Sequence, residues 1–434
     1  MKLRSWLVTC STTTCTATAG ESTISSLKNH FSDATSTATS SSSTSISNNS
    51  SPSLQSDLSL QTLPSVPSLQ ELSPETLNLS VSHICLASLK PKPPLPITCL
   101  ALHNNLLYTA SGHEINVYDR SSSTCFQMES FNGQDCSSGS IKAVAFCNGR
   151  VFTAHQDCKI RVWQITANKR HKLVTSLPTI NDRLRRCVLP KNYVNVRRHK
   201  KCLWIEHADA ITGLAVSHGL IYSVSWDRSL KIWRESDLRC LQSIRAHEDA
   251  INSVAVSSDG TIYTGSADFR IRVWAKPAGE KRYVLVATLE KHKSAVNALA
   301  LNDDGSVLFS GSCDRSILVW EREDSANHMA VTGALRGHGK AILSLFHVSD
   351  LLLSGSADRT VRIWRRGFEG KFCCLAVLVG HVKPVKSLVA VTDGGGSKDV
   401  VTVFSGSLDG EAKVWQVAVS RPGTPNFLTP LKEK

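Results

Sequence analysis

Short runs of alternating or wholly apolar residues recur along the chain from about residue 84. In one unit these runs cover residues 240–244, 251–256, 261–265 and 271–274, with turn-forming residues between them. Alternation with a period of two, bounded by such residues, is typical of β-strands. The pattern therefore predicts units of four short strands, with a histidine (His247 in this unit) between the first two runs.

A motif of three residues with fixed spacing, which we call the skeleton, recurs together with the strands. A Ser or Thr lies four positions before an Asp, and a Trp follows that Asp six positions later, as at Ser354, Asp358 and Trp364. The same skeleton occurs at 153/157/163, 223/227/233, 264/268/274, 310/314/320 and 405/409/415. Successive aspartates from Asp227 lie 41, 46, 44 and 51 residues apart, close to the roughly 40–45 residues of a four-stranded propeller blade. The spacing predicts a repeat protein.

These units resemble the WD40 repeat of β-propellers. The resemblance rests on the four strands, the histidine and the fixed interval between Asp and Trp. The first unit, residues 97–118, departs from it, since Gly112 and Tyr118 stand where Asp and Trp belong. Its strand spacing is kept, and counting it gives seven units. The implied fold class is all-β, a seven-bladed WD40 β-propeller over residues 84–417.

The two ends of this region predict how the ring closes. Residues 84–89 align with the outer strand of a later unit, but no earlier strands precede them. The last unit ends near residue 417 with no clear fourth strand after it. We therefore expect the N-terminal strand to complete the last blade, which leaves only short, protected sheet edges.

Two tails flank the predicted propeller. Residues 1–80 are rich in Ser and Thr and poor in apolar residues, most markedly over residues 35–53. Such a segment buries too little apolar surface to offset the entropy lost on ordering. We predict a disordered N-terminal tail over residues 1–80 and a C-terminal tail over residues 418–434.

The repeated polar residues have the types of a hydrolase triad. Because the set recurs five times and a catalytic site would occur once, a structural role is predicted. The WD40 resemblance implies a hydrogen-bonded relay inside each blade, from Trp through the hydroxyl and His to Asp. The residues are His207, Ser223, Asp227 and Trp233; His247, Thr264, Asp268 and Trp274; His292, Ser310, Asp314 and Trp320; His338, Ser354, Asp358 and Trp364; and His381, Ser405, Asp409 and Trp415.

Other chemical motifs are missing from the sequence. It contains no C-x-x-C pair, no H-E-x-x-H or G-x-S-x-G motif and no framed phosphate-binding loop. No enzyme activity, cofactor or metal site is predicted. No apolar run approaches the roughly 18–20 residues that a membrane helix requires, so no membrane partner is expected.

The net charge of +13 is concentrated in one segment. Residues 168–203 contain eleven Lys and Arg residues against one acidic residue, Asp182. We predict a basic insertion over residues 166–200 within blade 2, between the strand of Trp163 and a fourth strand at residues 202–205. It is a solvated loop, a dock for an acidic protein segment, or a nucleic-acid or nuclear-import element. Its candidate binding residues are Arg183, Arg185, Arg186, Arg197, Arg198, Lys200 and Lys201.

The WD40 resemblance also implies a partner-binding face opposite the predicted insertion. In that family, the residue before the Asp and the residue after the first apolar position of the inner strand commonly line this face. The candidates here are Trp226, Lys142, Asn252, Asn297 and Lys386. Trp226 is unusual, because small residues generally fill its position. It is either an exposed binding anchor or a residue packed on a neighbouring loop.

The stretch from Asn192 to His207 resembles the corresponding stretch of a plant WD-repeat family, the JINGUBANG-like proteins. That resemblance implies a regulatory adaptor, for example a negative regulator of pollen germination acting with a transcription regulator. The functional hypothesis is a non-catalytic scaffold for protein–protein interactions, monomeric and located in the cytoplasm, the nucleus or both. The alternative is a nucleic-acid-associated factor that binds through the basic insertion.

Overall fold

The computed structural model of the chain describes residues 66–70, 73–74, 77–120, 125–197, 200–322, 329–392 and 400–420, and for residues 197, 200 and 368 only the backbone. The predicted tails lie largely outside these residues. Within them, seven antiparallel sheets of four strands each account for nearly all of the structure.

Each sheet is one blade, and strands are numbered in chain order. Blade 1 contains β2 (Ile97–His103), β3 (Leu106–Ser111), β4 (Glu114–Asp119) and β5 (Phe126–Phe131). Blade 2 contains β6 (Ile141–Cys147), β7 (Arg150–His155), β8 (Ile160–Ile165) and β9 (His171–Leu177). Blade 3 contains β12 (Ile211–Ser217), β13 (Leu220–Ser225), β14 (Ser229–Arg234) and β15 (Cys240–Arg245).

The remaining blades follow the same plan. Blade 4 contains β16 (Ile251–Val256), β17 (Ile262–Ser266), β18 (Ile271–Ala275) and β19 (Val284–Leu289). Blade 5 contains β20 (Val296–Leu301), β21 (Val307–Ser312), β22 (Ile317–Arg322) and β23 (Met329–Leu335). Blade 6 contains β24 (Ile342–Val348), β25 (Leu351–Ser356), β26 (Thr360–Arg366) and β27 (Phe372–Val379). Blade 7 contains β28 (Val385–Thr392), β29 (Val400–Ser407), β30 (Ala412–Ser420) and β1 (Ser80–Leu89).

Few elements lie outside the blades. Strands β10 (Tyr193–Arg197) and β11 (Lys200–Leu203) pair with each other, and helix α1 covers Ile180–Cys187. Short 3-10 helices cover Cys136–Ser138, Pro190–Asn192 and Phe368–Gly370.

The seven blades form a closed ring. Each inner strand contacts the inner strand of the next blade, and β28 of blade 7 contacts β2 of blade 1. The described residues form seven apolar clusters, and each cluster lies between two neighbouring blades. The strands are therefore buried on both faces, which explains their many purely apolar runs. The predicted all-β, seven-bladed propeller is confirmed.

The ring closes where the two ends of the propeller meet. Strand β1 pairs antiparallel with β30, from Ser80 opposite Ser420 to Leu89 opposite Ala412. Leu89 and Ala412 then join the apolar cluster between blades 7 and 1. The prediction that the N-terminal strand completes the last blade is confirmed, and the strand begins four residues earlier than expected.

A segment inside the predicted tail also contacts the ring. The Leu69 amide donates to the Ala334 carbonyl at 3.0 Å, and the Phe372 amide donates to the Leu69 carbonyl at 2.8 Å. The Leu69 side chain packs on the cluster between blades 5 and 6. It lies over Gly333, where an added Cβ would fall 2.3 Å from Leu69 Cγ. Residues 66–70 thus form a strap across the outer strands β23 and β27.

The predicted position of the basic insertion is wrong. Strand β9 pairs with β8 and is the fourth strand of blade 2, and the β8–β9 turn closes where the Thr166 amide donates to the Arg170 carbonyl at 2.8 Å. Residues 178–206, with α1 and the β10–β11 hairpin, instead connect blade 2 to blade 3. The insertion therefore lies on the face of the connections that carry the histidines, not on the opposite face.

Closure by β1 predicts that the stability of the ring depends strongly on residues 80–89. A chain starting at residue 66 keeps the strap and β1, whereas a chain starting at residue 90 lacks both and exposes the edge of β30. We expect the first to unfold like the full chain. We expect the second to lose several kcal/mol of unfolding free energy, on the order of 1 kcal/mol for each hydrogen bond lost. Denaturant titration followed by tryptophan fluorescence measures both, and equal midpoints would refute closure by β1.

Candidate functional site

A bulge recurs at the same place in all seven inner strands, which surround the central channel of a propeller. We call the end of the channel that carries the seven bulged residues the channel mouth. The pairing between the first and second strands shifts register after the first residue of each inner strand, as between Ile141 and Ala143 in blade 2. The shift recurs in the other six blades. A bulge leaves one residue without a cross-strand partner and turns its side chain out of the ladder. The bulged residues are Thr98, Lys142, Thr212, Asn252, Asn297, Leu343 and Lys386.

Four of these residues link one blade to the next. Thr98 Oγ1 donates to the Ile141 carbonyl of the following blade. In the same way Thr212 donates to Ile251 at 2.7 Å, Asn252 to Val296 at 3.0 Å and Asn297 to Ile342 at 2.9 Å. Asn252 and Asn297, which were predicted to bind partners, are thus engaged in holding the ring together. The series is interrupted at Lys142, Leu343 and Lys386.

The two lysines have no counterion among the described residues. Among the described residues, neither ammonium group forms an ion pair or a hydrogen bond. Burial, and then the charge of Lys386, lowers the pKa of Lys142 to about 8. Burial also lowers the pKa of Lys386, although the nearby Cys313 and Cys99 thiols oppose the shift. An acidic group that entered the channel mouth would relieve this repulsion.

Trp226 lies beside Lys142. Its ring is half-buried, and Lys142 Nζ lies 5.9 Å above the ring centroid. That distance is within the range of a cation–π contact. Trp226 is therefore neither a freely exposed anchor nor a fully packed residue. It supports one side of Lys142 and leaves part of its own surface open.

The histidine of each connection is tied to the blade beneath it by a hydrogen-bonded relay. In blade 6, Trp364 Nε1 donates to Ser354 Oγ at 2.8 Å, His338 Nε2 lies 2.8 Å from that oxygen, and His338 Nδ1 lies 2.8 Å from Asp358 Oδ2. A carboxylate only accepts, so Nδ1 carries the imidazole proton and Nε2 accepts from the hydroxyl. The relay joins the connection between blades to the turn between the second and third strands.

The relay has the same geometry in blades 3, 4, 5 and 7. The His Nδ1 to Asp Oδ2 distances are 3.0, 2.9, 2.8 and 3.3 Å for His207, His247, His292 and His381. The serine or threonine oxygen is buried in each case and bonded to the indole N–H. Because the hydroxyl is enclosed, the relay cannot present a nucleophile to a substrate.

Blade 2 carries a substituted relay. His155 comes from β7 itself and meets Thr153 Oγ1 at 2.7 Å, while Asp157 pairs with Arg161 at 2.9 Å instead of with a histidine. Arg161 also bonds to Asp135 of the preceding connection. Burial, followed by the Arg161 charge, lowers the pKa of His155 to about 3. In blade 2, therefore, Arg161 joins the connection between blades to the turn that carries Asp157, as a histidine does in the other relays.

Charged residues hold helix α1 to the C-terminal part of the insertion. Thr179 caps α1 by accepting from the Asp182 amide at 3.2 Å, and the Asp182 carboxylate accepts from Arg186 Nε at 3.0 Å. The Arg186 guanidinium stacks 4.5 Å from the Trp204 ring centroid. Arg183 pairs with Glu206 at 2.7 Å. Two of the predicted binding arginines are thus structural.

The other predicted basic residues are placed differently. Arg185 and Lys201 are exposed and have no ion-pair partner among the described residues. Arg198 lies outside the described residues, and the side chains of Arg197 and Lys200 are not described. The outward apolar side of α1 was missed from sequence. The signal was present, since Ile180, Leu184 and Val188 recur at helical spacing.

A group with metal-ligand chemistry belongs to the relay. Donor atoms of His381, Asp409 and Glu411 lie within 4.8 Å of one another. Asp409 is the relay partner of His381, and Glu411 pairs with Lys90 at 2.6 Å and with Lys413 at 3.2 Å. The two lysines neutralise Glu411, and Asp409 is occupied by hydrogen bonds from His381 and from the Val382 and Glu411 amides, so the group carries no metal assignment.

Loss of one relay carboxylate should destabilise the ring. Asp358→Ala leaves a buried imidazole N–H without its acceptor, and we expect the unfolding free energy to fall by about 1–3 kcal/mol. Asp350→Ala in the same blade is the matched control, because its exposed pair with Arg365 is worth less than about 1 kcal/mol. Equal denaturant midpoints for the two variants would contradict the relay.

The relay also predicts loss of stability at acidic pH. Burial alone would raise the pKa of Asp268, but the His247 contact and two backbone amides outweigh it and hold that pKa at about 2. A depressed folded-state pKa gives stability that is present above the unfolded value of about 3.9 and is lost as the pH falls toward 2. Urea midpoints should therefore fall from pH 5 to pH 2.5. Asp268→Asn should fall less steeply, and an unchanged slope would contradict the assignment.

Comparison with known proteins supports the same architecture. The family "WD domain, G-beta repeat" matches residues 200–234, 238–275, 283–321, 330–365 and 372–416. A curated relative, "Mitochondrial division protein 1" of Schizosaccharomyces pombe, is 28% identical over 134 residues, which is 26% of this chain and 20% of the relative. The chain thus spans about a fifth of that relative's length.

The family matches cover blades 3 to 7, and the structure extends the same four-stranded unit to blades 1 and 2. None of the helices in the described ranges is long and apolar enough to span a membrane. The five relays, the seven interblade clusters and the seam between β1 and β30 are together the features of one architecture. The chain carries WD40 repeats and folds as a seven-bladed β-propeller.

Proposed function

We propose that this chain is a non-catalytic scaffold that binds a partner protein on the face formed by the relay-bearing connections. We call this the relay face; it includes Trp226, Lys142, Lys386 and the insertion. WD40 propellers are typically non-catalytic protein-interaction scaffolds, and a rigid ring that presents loops suits that role. The proposal rests mainly on one observation, the uncompensated lysine pair at the channel mouth.

The channel mouth favours an acidic side chain of a partner. Lys142 and Lys386 are half-buried and close enough to interact electrostatically, and four of the other five bulged positions are closed by hydrogen bonds. Half-buried charges of one sign attract an opposite charge strongly, because solvent screens them little. Trp226 adds an apolar surface beside them, a combination typical of an interface anchor.

A protein partner is favoured over nucleic acid. Nucleic-acid binding needs a row of free cations that reach phosphates, but Arg183 and Arg186 are held by Glu206, Asp182 and Trp204. The outward side of α1 is also apolar between its basic flanks. Apolar contact surface suits a protein segment better than a phosphate backbone.

The narrower role is part of the proposal. The JINGUBANG-like resemblance implies a plant regulator, such as a restraint on pollen germination that acts through a transcription regulator. A monomeric ring in the cytoplasm, the nucleus or both fits such a role. The stretch from Asn192 to His207, which carries this resemblance, ends at the relay histidine of blade 3.

A quantitative pull-down tests the channel mouth. The full chain and a Lys142→Ala/Lys386→Ala variant are used as bait, and bound proteins are compared by mass spectrometry. We expect the proteins captured by the full chain to fall about tenfold or more, the effect of losing an interface anchor. Trp226→Ala should reduce the same set.

A control variant that loses the same charge elsewhere on the relay face shows whether binding depends on the channel mouth itself or only on the positive charge of the face. Lys293→Ala/Lys383→Ala removes two exposed lysines from the connections of the same face, and its captured set should match that of the unmodified chain. If both double variants capture the same proteins as the full chain, the channel mouth is not the binding site.

The nucleic-acid alternative is tested with random-sequence duplex DNA and single-stranded RNA. It is favoured if either one binds with an affinity that falls steeply with salt and if no captured protein depends on the two lysines.

A further inference from the structure

Helix α1 of the insertion is oriented with its apolar side outward. Ile180, Leu184 and Val188 lie on one side of the helix at intervals of four residues and are 73%, 62% and 77% exposed. Asp182 and Arg186 lie on the opposite side, and Asp182 is only 4% exposed. A surface helix generally shows the reverse arrangement, with its apolar stripe toward the protein.

The inverted orientation is fixed by specific contacts. Asp182 bonds to Arg186 at 3.0 Å, and the Arg186 guanidinium stacks on Trp204. At the C-terminal end of the helix, Asn192 Nδ2 donates to the Arg186 carbonyl at 2.9 Å, and the Tyr193 hydroxyl donates to the Cys187 carbonyl at 3.1 Å. The helix is therefore held in place with its apolar side toward solvent, and a partner would not have to order it.

Further exposed apolar residues follow the helix in the sequence. Leu189 follows the C-cap Val188 and is exposed, and the Tyr193 ring is anchored next to it through the Cys187 carbonyl. We call Ile180, Leu184, Val188, Leu189 and Tyr193 the α1 patch. The helical part extends about 12 Å at the α-helical rise of 1.5 Å per residue. Contiguous exposed apolar surface of this kind marks an interaction site.

The borders of the patch specify the charge of its occupant. Arg185 flanks the apolar stripe on one side and Arg183 on the other, and Lys191 follows its C-terminal end. Arg185 and Lys191 have no ion-pair partner within the described part of the chain. An apolar strip between basic flanks complements a segment with an apolar stripe between acidic flanks.

We propose that the α1 patch binds an acidic amphipathic helix of a partner protein, about three turns long. Leucine-type side chains of the partner cover Ile180, Leu184 and Val188, and its carboxylates pair with Arg185 and Lys191. This site is separate from the channel mouth and does not rest on it.

Two other occupants fit the charges less well. A second copy of the chain would bring two strongly basic insertions together, and like charges repel. The chain's own residues 1–65 contain three Lys and Arg residues and three Asp and Glu residues, and so lack an acidic excess. Charge complementarity therefore favours a separate acidic segment.

The test measures binding of a fluorescein-labelled synthetic peptide by fluorescence polarisation with the full chain. The peptide has Leu at every third or fourth position and Glu elsewhere, and a second peptide has Lys in place of Glu. We expect saturable binding of the Glu peptide only. Leu184→Glu and, independently, Ile180→Ser should weaken it about tenfold or more, the contribution of one buried apolar side chain. Arg185→Glu should weaken it as well.

The controls separate this site from the alternatives. Val382→Glu makes the same kind of change at a residue of the connection between blades 6 and 7 that is 72% exposed, and it should leave peptide binding unchanged. Lys142→Ala/Lys386→Ala should also leave it unchanged, so failure of the channel proposal does not affect this one. Equal binding of the two peptides, or no effect of Leu184→Glu and Ile180→Ser, would overturn the proposal.

The same variants also test whether a second copy of the chain or the chain's own N-terminal residues cover the α1 patch. If sedimentation shows a dimer that Leu184→Glu converts to a monomer, the patch is covered by a second copy and the proposal is wrong. If the full chain does not bind the Glu peptide but a chain starting at residue 66 does, the patch is covered by the chain's own tail, which also overturns it. Binding by both chains with equal affinity supports an external partner.

Discussion

The pairing of β1 with β30 is the constraint on which the rest of the ring depends. Every other blade takes its four strands from one continuous stretch, whereas blade 7 takes three from the end of the propeller and one from its beginning. In the closed ring β28 contacts β2, and Leu89 of β1 joins Phe404 and Tyr118 in the apolar cluster between blades 7 and 1. An open ring would leave a long unpaired strand edge.

Within the closed ring, two repeated devices build one face. The relay fixes each interblade connection to a turn of the blade below it, and the bulge in each inner strand turns one side chain toward the channel. Where both devices are complete, as in blades 4 and 5, the side chains are used to hold the ring together. The candidate binding features occur where a device is altered: Lys142 and Lys386 replace ring-linking donors, and the insertion lengthens the connection before His207.

The repeat spacing was enough to predict the fold, because the interval from hydroxyl to Asp to Trp is set by strand length and turn geometry and recurs in each blade. The position of the basic insertion relative to the fourth strand of blade 2 was not predictable in the same way. Strand β9 follows Trp163 at the interval that separates Trp364 from Phe372, but the basic residues around it obscured its alternation. The apolar side of α1 faces solvent because Arg186, on the opposite side of the helix, stacks on Trp204. The pattern of apolar and polar residues does not show that these two residues meet. The strap at Leu69 rests on a few backbone hydrogen bonds and leaves no periodic signal.

Closure is tested most directly by hydrogen–deuterium exchange of the full chain in native buffer, followed by mass spectrometry of peptides that cover β1, β29 and residues 1–65. Amides of β1 that bond to β30 exchange only when the seam opens. The closed ring predicts that residues 80–89 exchange about as slowly as those of β29. Exchange of residues 80–89 within the mixing time, while β29 stays protected, would show that the seam is open in solution and would contradict closure by the N-terminal strand.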